Sequence, residues 1–308
     1  MLFPVRLAAL AAAFLINATP PPEVPRYDHI FVVVDENKDL HTVVGSRAAP
    51  RINALAAQYG LATHYDAVAH PSEPNYVAIV GGDTFGIRND GSFVKNAVDA
   101  PSLATQLDAA HLSWKGYYES IPQPGSLATF SGFYASKHSG FLNFVSVQHD
   151  PNRAQHLVGF DALVRDIADN ALPSFALIIP NLCNDMHGAW GVHVPVSCWP
   201  VPGGGLVKRG DATFGTIADE LMKSRAWTGK ERTAIVLVFD EDDGDGREGG
   251  GGRVPAIVIT NHGPRHLVDP TPYTHYSLLR TIEAAFGLPY LRHARTAAPM
   301  TRLFLLQP

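Results

Sequence analysis

Three short segments carry side chains whose types and spacing suit chemistry on a charged substrate. Asp35, Glu36 and Asn37 follow one apolar run, Asn181, Asn184, Asp185 and His187 follow another, and Asp240 to Asp243 follow a third. Carboxylates and amides are hard oxygen donors, which suit Mg²⁺, Ca²⁺ or Mn²⁺ better than Zn²⁺. Glu36 with Asn37 and Asp240 with Glu241 are therefore expected to close on one divalent cation. Acidic runs are usually solvated loops, but acids abutting buried strands are costly without a compensating charge. The run DEDDGDG from Asp240 lacks the D-x-[DN]-x-[DN]-G spacing of a calcium loop, and a strand rather than a helix precedes it. That reading is excluded.

The nucleophile candidate is Ser72, in HPSEPNYVAIVGG from His70 to Gly82. An extended lead over 62–69 enters two prolines and then an apolar run that suits a helix or a strand. At a helix start, backbone N–H groups and the positive end of the helix dipole favour negative charge, as a phosphoryl group would bring. The competing reading is a plain N-cap serine. His187, two positions after Asp185, and His275, at the start of THYSLLRTIE, are candidate metal or phosphate ligands, or acids for a leaving oxygen. Lys137 with His138, and Glu119 after WKGYY, form a further tier. No G-x-S-x-G elbow, G-x-x-x-x-G-K-[ST] loop or G-x-G-x-x-G turn occurs, which disfavours carbon-ester hydrolases and the nucleotide folds built on those loops.

Parallel strands must position these groups. Short apolar runs at Asp28–Asp35, Phe175–Pro180, Thr233–Asp240 and Pro255–Thr260 have the continuous hydrophobicity of strands buried on both faces. Helical patterns lie between them at Ala49–Tyr59, Ser102–His111, Gly159–Asn170, Thr213–Lys223 and Tyr276–Phe286. Alternation of this kind predicts an α/β fold with a mostly parallel sheet covered on both faces. In such sheets functional groups collect past the carboxyl ends of strands, where three of the four runs deliver the segments named above.

The first 25 residues read as an export leader: Arg6, an apolar run of about ten residues to Ile16, and the small residue Ala18. That run is about half of the ~20 residues needed to span a bilayer, so an uncleaved anchor is the disfavoured alternative. The expected organisation is a signal peptide over 1–18, a proline-rich leader over 19–27 and one domain over 28–308, secreted or periplasmic, with no stable membrane span. Cys183 and Cys198 are the only cysteines. In an exported chain such a pair predicts a disulfide, contributing ~3 kcal/mol in the chain-entropy account. The formal charge of −5 argues against nucleic acid as a partner. A small phosphorylated molecule or a phospholipid head group is compatible with it, since a metal can meet its charge locally.

Five segments, ENKDLHTVVG, HPSEPNYVAIVGG, PNLCNDMHG, FDEDDGDG and THYSLLRTIEAAFGLP, resemble in that order the bacterial phosphoesterase family of secreted acid phosphatases and phospholipases C, within the alkaline phosphatase superfamily. The resemblance implies that superfamily's three-layer sandwich and a divalent metal, with one ion favoured because His187 follows Asp185 by two rather than the usual four positions. It implies Glu36, Asn37, Asp240 and Glu241 as metal ligands and Ser72 as the metal-bound nucleophile. It further implies Asn89 as a donor to substrate phosphate, and it places Asp185, His187 and His275 where a second metal site or phosphate-binding groups lie; Lys137 and His138 are further candidates toward the phosphate. The expected activity is hydrolysis of phosphate monoesters, phosphoinositides among the candidates, through a phosphoserine. A phosphodiesterase with the same site and a non-catalytic metal- or phosphate-binding protein are the alternatives.

Overall fold

Seven residues, HIFVVVD, form the central strand β1 (His29–Asp35), whose β-branched run is buried from Ile30 onward. The chain is seen in a computed structural model that describes residues 23–201, 205–244 and 250–307. The expected leader at 1–18 and most of the glycine-rich segment 244–252 lie outside those residues.

Seven further strands join β1 in one sheet: β2 (Gly60–Ala62), β3 (Trp114–Tyr118), β4 (Leu157–Val158), β5 (Phe175–Ile179), β6 (Thr233–Phe239), β7 (Ala256–Thr260) and β8 (Leu267–Asp269). Their order is β8-β2-β7-β6-β1-β5-β3-β4. Only β7 runs antiparallel to its neighbours; the other pairings are parallel. Among the described residues, six helices of seven residues or more accompany it: α1 (Pro50–Gln58), α2 (Ser72–Gly81), α3 (Leu103–Ala109), α4 (Phe160–Ala168), α5 (Leu206–Lys223) and α6 (His275–Phe286). The expected α/β class with a mostly parallel sheet is what forms.

All four strands read from the sequence are present. The strands β2, β3, β4 and β8 are not legible in the same way, being short or, like WKGYY, mixed in polarity. Helix α5 begins seven residues before the expected Thr213. Gly210 obscures that part of the pattern, and it is needed because Met186 packs where its side chain would stand.

Register decides what the sheet presents. Val34 and Asp35 of β1 lie beside Val238 and Phe239 of β6, and Val33 lies beside Ile178 of β5. The three polar segments named above therefore leave the sheet at one edge and side by side. No helix among the described residues is long and apolar enough to cross a membrane.

Candidate active site

Helix α2 carries Ser72 as its first residue, behind Pro71, and all ten of its residues are buried. Pro71 holds the N-cap position and makes no side-chain capping hydrogen bond. That duty falls to Asp90, whose Oδ1 accepts from the Glu73 N–H at 3.0 Å. Ser72, one position inside the cap, directs its hydroxyl at carboxylates instead. Asn75, on the same turn, fixes the approach of the chain: its Oδ1 accepts from the N–H groups of Val68 and Ala69, and its Nδ2 donates to the Ala69 carbonyl. Gly82 ends the helix in the left-handed region (φ 75°), where a side chain would meet the Leu291 carbonyl.

Ser72 Oγ lies 2.9 Å from Glu241 Oε1 and 3.2 Å from Glu36 Oε2. These carboxylates follow β6 and β1, so the serine bridges two strand ends. Around them, Asn37 donates its backbone N–H to Asp240 Oδ1 at 3.0 Å. Asn37 has φ 52°, a conformation asparagine tolerates better than most residues. Tyr76, one helical turn after Ser72, donates its hydroxyl to Glu36 Oε1 at 2.5 Å. His70 contacts Glu241 through Nδ1 and stands 3.3 Å from Asp242 through Nε2.

The electrostatics of this cluster are one-sided. Asp35, Glu36, Asp185, Asp240 and Glu241 are all buried. Burial first, and then their mutual repulsion, pushes every one of these carboxyls up, Glu241 to about 8. Both oxygens of Asp35, Oδ2 of Asp185 and of Asp240, and Oδ1 of Asn37 are buried without a hydrogen-bond partner. Buried, partnerless oxygens of this number are rare in folded proteins. Buried oxygens without partners beside Glu36 and Glu241 are the donors a divalent metal takes, so the residues present fit such an ion.

Two histidines add nitrogen donors. Glu36, His138 and His187 bring one ligand atom each within 4.8 Å of the others. His138, fully buried and stacked on Tyr76, lies 3.1 Å from Glu36 Oε1. Burial and the neighbouring Lys137 hold it and His187 below the ordinary histidine range. His138, expected toward substrate phosphate, thus sits among the candidate metal donors. Asp185 Oδ1 accepts from the His187 N–H, and its backbone carbonyl accepts from Glu36 N–H at 2.7 Å; Asp185 braces the cluster from β5.

Lys137 pairs with Asp90 Oδ2 at 2.7 Å. Burial works to lower its pKa, but the nearby Glu36 and Asp90 outweigh that and raise it, so the ammonium stays charged. Asn89 is exposed, and its Oδ1 accepts from Gly91 N–H and Asn96 within its own loop; its neighbour Asp90 is the residue that reaches α2. His275 is fully buried behind Asp240, with Nε2 2.7 Å from the Asp240 carbonyl oxygen and Nδ1 3.1 Å from the Tyr65 hydroxyl. Burial holds it down at about 4. With both nitrogens engaged, it supports the β6 strand end. Glu119 binds Asn184 and the Asn181 N–H, shaping the segment after β5. Cys183 and Cys198 form the expected disulfide, with Cα atoms 4.9 Å apart.

His70, Tyr76 and Asp90 were not among the site residues expected from sequence. His70 and Tyr76 stand two before and four after Ser72, within a motif already singled out. The i,i+4 spacing that puts Tyr76 on the Ser72 face is a signal that was available. Asp90 carries no such local signal, because its role depends on a loop returning to the start of α2.

Beside the cluster is a pocket of about 740 Å³, lined by Asn37, His70, His187 and the acids Glu241, Asp242 and Asp243 together with the apolar Pro200, Val201, Leu206 and Val207. This fold is shared with an alkaline phosphatase superfamily protein from Vibrio parahaemolyticus, at TM-score 0.60 and 14% identity over 90% of this chain and 72% of that one. A phosphatidylinositol-3-phosphatase from Mycobacterium tuberculosis is 31% identical over 97% of this chain and 91% of its own length. An acid phosphatase from Aspergillus fumigatus is 30% identical over 86% of this chain, which spans only 56% of that longer protein. The sequence model of the phosphoesterase family matches residues 45–289, a stretch that includes Ser72, the Asp185 segment, the acids after β6 and helix α6. The likeness that five short motifs suggested therefore extends through the scaffold that positions them: the chain belongs to the phosphoesterase family.

Proposed function

We propose that the chain is a divalent-metal-dependent phosphomonoesterase with Ser72 as its nucleophile. The observation that carries this reading is the Ser72 hydroxyl itself, on the first residue of a buried helix and in contact with Glu36 and Glu241. The names of the relatives, a phosphatidylinositol-3-phosphatase and acid phosphatases, support a monoester over a diester.

Glu36, Asn37, Asp240 and Glu241 would hold the ion. When bound, it supplies charge neutralisation and a lowered hydroxyl pKa at Ser72. The oxygen donors favour Mg²⁺, Ca²⁺ or Mn²⁺; His138 beside Glu36 extends the choice to metals that accept nitrogen.

The chain's own residues do the rest. Glu241 Oε1 is placed to accept the Ser72 proton as Oγ forms its bond to phosphorus and the bond from phosphorus to the ester oxygen breaks. The positive end of the α2 dipole and the Lys137 ammonium offset the charge on the phosphoryl oxygens. His187 lines the pocket with Nδ1 2.7 Å from the Gly188 carbonyl oxygen. That leaves Nε2 to protonate the departing alcohol and then to take a proton from the water that cleaves the phosphoserine. The proton held by Glu241 returns to Ser72 Oγ. His275 acts indirectly, by holding the Asp240 backbone. The disulfide fits an oxidising compartment and agrees with export by an N-terminal signal.

The test is hydrolysis of p-nitrophenyl phosphate against bis-p-nitrophenyl phosphate by wild type and Ser72→Ala, with and without EDTA. Metal- and Ser72-dependent cleavage mainly of the monoester is expected. Preference for the diester would move the assignment to phosphodiesterase chemistry, and near-normal activity of Ser72→Ala would overturn the mechanism.

A further inference from the structure

The wall of the pocket continues into a surface that the catalytic reading does not use. After His187, which lines the pocket, the chain forms a loop closed by the Cys183–Cys198 disulfide and continues to Val201, which lines the pocket again. The loop is locally ordered: Ala189 N–H donates to the Cys198 carbonyl, and the Trp199 indole donates to the Val194 carbonyl. Yet its apolar side chains face outward. Trp190, Val192, Val196 and Val201 are 64%, 98%, 67% and 37% exposed. Four of the ten exposed large apolar side chains among the described residues thus fall within twelve positions. Trp190 packs against Trp199, ring centres 5.6 Å apart, which makes a broad face rather than a single stray residue.

Charge distinguishes this stretch as sharply as polarity does. The protein carries a net −5, but from 187 to 210 there is no Asp or Glu, while Lys208 and Arg209 are both present. A tryptophan-bearing apolar loop next to basic residues is the composition of a bilayer interface, where indole rings sit at head-group level and cations meet anionic lipid. Another soluble protein would be met equally well by an acidic rim, which this loop lacks.

We propose that the loop over 189–201 seats the protein on an anionic phospholipid surface, so that a lipid phosphate-monoester head group enters the adjoining pocket without leaving the membrane. The substrate assignment rests on the phosphomonoesterase reading; the docking surface does not. Its occupant is the bilayer, because the apolar face is continuous with the pocket wall at Pro200 and Val201. A lipid held there keeps its acyl chains in the membrane while its head group reaches Ser72.

The experiment uses the full chain and compares wild type with a Trp190→Ser, Val192→Ser double variant. Neither residue contacts the catalytic groups. Sedimentation with phosphatidylcholine vesicles, with and without phosphatidylserine, reads binding independently of turnover. Hydrolysis of phosphatidylinositol 3-phosphate in the same vesicles is compared with hydrolysis of its short-chain soluble analogue. The expected result is wild-type binding that depends on phosphatidylserine and falls about tenfold in the variant. Vesicle turnover falls in parallel, while turnover of the soluble analogue is unchanged, which also certifies the fold. The proposal is overturned if wild type does not sediment, if the variant sediments equally, or if ultracentrifugation shows a wild-type dimer that the double substitution dissociates. Loss of binding in the variant with no phosphomonoester cleaved by either protein would retain the docking surface and reject the phosphomonoesterase reading.

Discussion

The hydroxyl of Ser72 donates to Glu241 Oε1 across 2.9 Å and 169 positions of chain. The pair joins the start of α2 to the end of β6, and neither partner has another obvious reason to be buried at that point. If the two act as a unit, their losses will not add. Glu241→Gln keeps the shape and the hydrogen bond but removes the charge. We expect it to lower kcat by about 10²- to 10⁴-fold, and Ser72→Ala in that background to cost little more. Additive losses in the double variant would show that the contact is incidental.

Metal loading has a thermodynamic signature that does not need turnover. Buried carboxylates that repel one another are stabilised by a cation, so Mg²⁺ or Mn²⁺ at about 100 times its Kd should add ~2.7 kcal/mol to stability. Asp240→Asn relieves part of the repulsion and should raise the melting temperature of the chelated protein while reducing the gain on adding metal. An equal metal-induced gain in wild type and Asp240→Asn, read by thermal denaturation, would remove Asp240 from the ligand set.

Lys137 offers a separate handle on substrate charge. Its partner Asp90 spans the lysine and the first free amide of α2, at 2.7 and 3.0 Å, and so occupies positions that phosphate oxygens would favour. Lys137→Met should reduce kcat/KM for monoesters by about 10- to 100-fold, the loss of one charged hydrogen bond. Asp90→Asn keeps an acceptor for the Glu73 N–H but frees the ammonium, and should tighten inhibition by inorganic phosphate. Weaker inhibition in Asp90→Asn would mean that Asp90 orients the lysine instead.

A carboxyl far from the metal cluster sets a pH dependence of stability. Glu283 of α6 is fully buried; its Oε1 accepts from Leu291 N–H at 2.9 Å, and its Oε2 is without a partner. Gln106 Oε1, from α3, is likewise buried and unpartnered. Burial raises Glu283 from 4.5 to about 8, against the lowering effect of Gln106, Arg280 and Arg295. The folded state therefore holds a proton that the unfolded state releases above 4.5. Stability is greatest below that pH and declines as pH rises toward about 8, by at most about 1.4 kcal/mol per unit. Glu283→Gln removes this dependence, so its stability relative to wild type should rise between pH 5 and pH 8. Denaturant melts at both pH values give the comparison, and a constant difference would rule the account out.

The α/β class, the four main strands and the oxygen-rich strand ends were legible because each is a local property. A run such as TAIVLVF has nowhere to be but inside a sheet, and the acids that follow it are adjacent in sequence. The family resemblance and the Cys183–Cys198 pairing were legible for a related reason, since short motifs in order and a lone pair of cysteines survive without coordinates. The tertiary structure alone decided which Ser72 this is. Whether the hydroxyl at a helix start meets amides or carboxylates depends on what packs against it, and here Glu36 and Glu241 arrive from two strand ends while Asp90 returns from a distant loop to the Glu73 N–H. In the same way, β-sheet register brought Glu36, Asp185 and Glu241 together, packing buried His275 behind Asp240 with both nitrogens engaged, and His138 joined Glu36 instead of an open phosphate site. Sequence determined the donors, because side-chain chemistry is local; structure assigned their roles, because hydrogen-bond partners and burial are set by segments far apart in the chain.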